Sequence, residues 1–130
     1  MSIVITRTET ALTTTAGVFS AMDNIGASSV SSSLVIPSNV SAVKQITISV
    51  ASDAAEEYVP LVQLSGNSLR DGSAVFCGTG QVSNASAVGS NPNSMTYDTN
   101  LSVVSGNTLE IAIATTTVAT IDAAVTLQLE

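Results

Sequence analysis

Apolar and polar residues alternate with a period of two along three stretches of the chain, and each stretch predicts a β-strand with one buried face. In residues 43–52, Ile46, Ile48 and Val50 share one side while Gln45, Thr47 and Ser49 share the other. In residues 108–115 the apolar side is Leu109, Ile111 and Ile113. In residues 121–130 it is Val125, Leu127 and Leu129, opposite Thr126, Gln128 and Glu130. Shorter or interrupted runs predict further strands at residues 2–8, 15–21, 33–36, 58–65, 73–78 and 94–104. Apolar residues at helical spacing are never sustained beyond about one turn.

Turn chemistry separates these runs: Pro37-Ser-Asn, Ser65-Gly-Asn, Asp71-Gly72, Gly78-Thr-Gly80, Asn91-Pro92 and Ser105-Gly106-Asn107. The result is eight or nine short strands with no intervening helix, the pattern of an all-β antiparallel β-sandwich, jelly-roll-like in its strand number. Pro60 cannot donate to a ladder, so the strand over residues 58–65 is expected at a sheet edge or with a bulge. The tracts 23–33 and 81–93, rich in Ser, Asn and Gly, read as loops at one end. The pattern apolar-Ser-Gly-Asn-hydroxyl-Leu occurs at residues 64–69 and again at 104–109, which predicts two equivalent hairpin turns.

Composition then narrows the class. At 130 residues the chain fits one domain, residues 1–130. Residues 1–15 either open its own sheet or leave it as an extended, swapped strand added to a neighbour. Hydrophobic residues make up 45% and charged residues 10%, which excludes disorder. Only Phe19, Phe76, Tyr58 and Tyr97 are aromatic, so the core is aliphatic and thin for its length, and burial against identical neighbours would offset that. A homo-oligomer is the expectation.

The net charge of −7 and the isolation of Arg7, Lys44 and Arg70 argue against nucleic acid and anionic membranes as partners. No apolar run approaches the ~20 residues of a membrane helix, and no basic leader precedes an apolar segment at the N-terminus, so synthesis in a cytoplasm is expected.

Candidate chemistry is sparse. The chain has no histidine and one cysteine, which excludes a Ser-His-Asp triad, a Cys-His pair and the usual zinc ligand sets. No catalytic residue and no organic cofactor is expected. Asp53, Glu56 and Glu57 form the densest acidic group and are the candidate ligands for a calcium ion, against the alternative of a solvated loop. Gly78-Thr-Gly80 lacks the lysine and helix of a phosphate loop and reads as a turn. Cys77, beside Phe76 in an apolar run, reads as a small buried hydrophobe.

The run Ile36-Pro-Ser-Asn-Val-Ser-Ala-Val-Lys-Gln-Ile-Thr-Ile-Ser-Val50, the run Val104-Ser-Gly-Asn-Thr-Leu-Glu-Ile-Ala-Ile113 and the closing strand together resemble small β-sandwich virion proteins of tailed phages and archaeal viruses: capsid proteins and capsid decoration or cement proteins. The resemblance implies a trimer or higher oligomer, held to other virion proteins by apolar contacts and strand pairing and located in the virion after synthesis in the host cytoplasm. It transfers no functional residue. Two other classes fit the composition: a carbohydrate-binding or adhesive module, for which Tyr58 and Tyr97 are the available aromatic platforms, and an extracellular filament subunit.

Overall fold

The computed structural model describes residues 2–52, 57–78, 81–82 and 93–130. Its strands in chain order are β1 (Ile3–Thr13), β2 (Ser20–Ala21), β3 (Asn24–Ile25), β4 (Ser28–Ser29), β5 (Ser33–Val35), β6 (Ala42–Ser52), β7 (Glu57–Tyr58), β8 (Pro60–Ser65), β9 (Ala74–Cys77), β10 (Gln81–Val82), β11 (Asn93–Ser102), β12 (Thr108–Thr115) and β13 (Thr120–Leu129). All pair antiparallel.

One sheet has the order β11-β6-β13-β1-β3-β4, and the second β2-β12-β8-β9. Glu110 pairs with both Ser65 and Ser33, and Ala112 with both Gln63 and Ala21. β5 and β2 therefore share the side of β12 opposite β8, as one interrupted strand. β7 and β10 form a separate two-stranded ladder. The chain passes from sheet to sheet at almost every step, and β8–β9 is the long hairpin within one sheet. Taking β2 and β5 as one strand, the eight main strands lie in the orders 6-3-8-1 and 2-7-4-5.

The alternation read from the sequence points inward from both sheets. Ile46, Ile48 and Val50 of β6 and Ile121, Val125, Leu127 and Leu129 of β13 meet Val62 and Leu64 of β8 and Leu109, Ile111 and Ile113 of β12 in one buried cluster. That is a β-sandwich. Met22, Ile36, Val40, Leu69 and Val103, from the connections, complete the core, and Tyr58 is its one aromatic residue among those described.

Two irregularities explain where the period breaks. In β1, Glu9 pairs with Ala123 but Leu12 with Ile121, so Thr10 and Ala11 together oppose Asp122. The extra residue is a bulge. It carries Ala11 to φ +51°, and the Asp122 carboxylate accepts the Ala11 N–H at 2.8 Å. Beyond it the inward positions change parity, from Ile3 and Ile5 to Leu12, and the strand runs on to Thr13. The tract 23–33 also holds structure: Asn24–Ile25 and Ser28–Ser29 form a tight hairpin through Gly26, anchored to β1 by the Thr8–Asn24 pair. The half of β1 from Ile3 to Arg7 pairs with β13 alone among the described residues.

Pro60 departs from the expectation of an edge strand or bulge. β8 lies inside its sheet, between β12 and β9, and Pro60 is its first residue, where no N–H is required. Its carbonyl accepts the Gly78 N–H at 2.8 Å.

The two Ser-Gly-Asn turns are not equivalent. The first lies in the β8–β9 hairpin, whereas the second carries the chain from β11 in one sheet to β12 in the other. They interlock instead. The Asn67 side-chain oxygen accepts from the Thr108 N–H at 2.9 Å and the Thr108 hydroxyl at 3.0 Å, and the Thr108 carbonyl accepts the Ser68 N–H at 2.9 Å.

The Ser68 hydroxyl is fully buried there, without a hydrogen-bond partner among the described residues. Desolvating a lone hydroxyl is unfavourable, so Ser68→Ala is expected to raise the unfolding free energy by up to about 1 kcal/mol in a denaturant titration. A loss of similar size would show that the hydroxyl is satisfied in solution.

Candidate functional site

The singled-out residues that lie among those described form no common site. Asp53 and Glu56 lie outside the described residues. Glu57 stands exposed on β7, and its backbone carbonyl accepts the Thr117 hydroxyl. Among the described residues no group of three Asp, Glu, Cys or His side chains is placed to hold a metal ion.

Cys77 corrects the expectation of burial. β9 is an edge strand whose alternation turns Ala74 and Phe76 inward and Val75 and Cys77 outward, so the thiol is exposed. The aromatic platforms fare no better. Tyr58 is buried in the core. Tyr97 packs its ring 5.5 Å from that of Phe76, and its hydroxyl donates to the Cys77 carbonyl at 2.5 Å, closing the flank where the edge strands of the two sheets meet.

The residues of β1, β13, β6 and β11 that point away from the core form the outer face of the first sheet. Its register is set by three ladders. Thr6, Thr126, Thr47 and Thr96 make one row across all four strands, with hydroxyl pairs at 3.2 Å between Thr6 and Thr126 and 3.1 Å between Thr47 and Thr96. Thr8, Ala124, Ser49 and Ser94 form the next row, and Val4, Gln128, Gln45 and Asp98 the row on the other side. Small neutral side chains dominate, and the acids Asp98 and Asp122 stand towards its corners.

Next to the β1 bulge this face sinks into an open concavity of about 410 Å³, bordered by Gly26 of the β3–β4 turn and lined by Thr8, Glu9, Thr10, Ser49, Ala51 and Asp122 with their neighbours Ala123 and Ala124. Glu9 is buried, and its carboxylate accepts the Asp23 N–H and the Asn24 side-chain amide, both at 3.1 Å. It fixes the start of the hairpin against β1. These residues come from separate parts of the chain, so no local motif could have announced them.

The outer face of the second sheet is more apolar. Ladder register sets Ala21, Ala112, Gln63 and Val75 in one row, and Ala114, Leu61 and Cys77 in the next. Val75 is half exposed, and Val4, Val18, Val35 and Val118 are more so.

No protein-family model matches the chain, and no curated protein matches it. Among solved structures it is similar to a chain in the structure of infectious bursal disease virus, Gx strain, with a TM-score of 0.55 at 10% sequence identity. The match covers 98% of this chain but only 32% of that one, so this chain spans about a third of its neighbour's length. At that identity the likeness is one of fold: an all-β sandwich shared, over nearly its whole length, with part of a chain from a virus structure.

Proposed function

We propose that the protein is a structural component of a virus particle, a capsid or capsid-decoration protein that acts through contacts between copies. The observation that carries this reading is the match of nearly the whole chain to part of a chain in a virus structure. The strand orders 6-3-8-1 and 2-7-4-5 support it, because they are compatible with a jelly roll, an architecture that includes viral capsid domains. The missing histidine supports a mechanical role over a catalytic one.

The contacts would use two features. One is the half of β1 left without a strand partner on its outer side among the described residues, where Ile3, Val4 and Ile5 offer an edge without proline or acidic residues up to Thr6, whose carbonyl accepts the Arg7 guanidinium. The other is the apolar outer face at Leu61, Val75 and Cys77. A trimer is the smallest assembly proposed, with other virion proteins as further partners.

Mass spectrometry of density-purified particles from the source organism tests the location. The chain is expected in many copies per particle and retained after a salt wash. Its absence from particles that carry their other shell proteins would overturn the reading.

A further inference from the structure

We propose that the concavity beside the β1 bulge binds the ring of a neutral hexose. Its volume of about 410 Å³ falls within the range of small-molecule sites, roughly 300–1,000 Å³. Three polar groups without partners among the described residues line it: the second carboxylate oxygen of Asp122 and the hydroxyls of Thr10 and Ser49. A carboxylate oxygen accepts from sugar hydroxyls in charge-assisted bonds, and the two hydroxyls both donate and accept. The methyl groups of Ala51 and Ala124 supply an apolar floor for the C–H face of the ring.

Charge selects the class of ligand. The lining includes the Asp122 carboxylate and no cationic side chain, so sialylated sugars and phosphates meet uncompensated negative charge. Glu9 is committed through both carboxylate oxygens to Asp23 and Asn24, so it holds the wall and is not offered to the ligand. Of anionic and neutral rings, the neutral one fits.

The walls are fixed before binding. Asp122 holds the bulge through Ala11, and Glu9 holds the hairpin, so little ordering opposes association. With alanine in place of an aromatic platform, single-site affinity should be weak, about millimolar. Repetition over many copies of an assembly would convert such a site into firm attachment to a glycan surface. The site itself belongs to one chain, so its test and the test of assembly fail separately.

Saturation-transfer difference spectroscopy on the full chain reads the free sugar whatever the size of the assembly. Galactose, glucose and mannose are titrated to about 50 mM, with N-acetylneuraminic acid as the comparison. At least one neutral hexose is expected to saturate with a millimolar Kd, and the anionic sugar to give no signal.

Ser49→Leu fills the concavity and should abolish the signal; Ala51→Leu serves the same purpose if the first variant does not fold. Asp122→Asn keeps an oxygen for Ala11 but replaces the accepting oxygen by a donor, and should weaken binding about tenfold. Three results would each overturn the proposal: no saturable signal from any neutral hexose, a signal that survives the blocking variant, or equal binding of the anionic sugar.

Discussion

Gly66→Ala is expected to destabilise the protein by about 3 kcal/mol or more and to lower Tm by on the order of 10 °C, whereas Gly106→Ala costs about 1 kcal/mol. The two glycines occupy the same place in the repeated Ser-Gly-Asn pattern, and both have positive φ, +108° and +85°. Their surroundings differ. A Cβ on Gly66 would stand 2.5 Å from the Thr108 carbonyl oxygen and 3.1 Å from its carbon, whereas nothing lies within 4 Å of one on Gly106. Backbone cannot rotate aside as a side chain can, so the interlocked turns would have to separate, and the Asn67–Thr108 bonds would go with them. Thermal unfolding of the two variants side by side measures the difference. Equal losses would mean that the turns do not interlock.

Leu127→Ala should cost about 2–5 kcal/mol, against at most about 0.5 kcal/mol for its neighbour Thr126→Ala. Leu127 is fully buried at the centre of β13, between β1 and β6, while Thr126 faces outward in the threonine row. The loss is severe because the total stability of a domain is about 5–15 kcal/mol and this core contains little besides branched aliphatic side chains. Such chains leave a cavity that rigid β-ladders cannot collapse to fill. Denaturant midpoints of the two variants test it. A mild effect at Leu127 would show that the face is covered on both sides or that the register is shifted by one residue.

The three long alternating strands are legible in the sequence because each is amphipathic over eight residues or more: β6, β12 and β13 bury the residues that their period selects. Two-residue strands carry no period, so β3, β4, β7 and β10 leave no trace. The far half of β1 was hidden by its bulge, which moves the apolar positions from odd to even numbers at Thr10 and Ala11.

Cys77 shows a different limit. The run Ala74-Val-Phe-Cys77 looks buried throughout when read as composition, but read by twos it puts Phe76 in and Cys77 out. The alternation held the answer and the apolar character masked it. Pro60 marks the start of a central strand as readily as an edge, and only the ladder distinguishes the two. The acidic group was a reading of neighbours along the chain, whereas the concavity draws Thr10, Ser49 and Asp122 from β1, β6 and β13. No spacing in the sequence encodes that meeting; strand order does.

Association with copies of itself is how this sandwich is proposed to work. Multi-angle light scattering on the purified chain, across micromolar concentrations, tests it most directly. A trimer or larger is expected, with Val4→Lys, which places a charge beside the β1 edge that no described strand pairs, shifting the population towards smaller species. A chain that stays monomeric across that whole range would contradict the account.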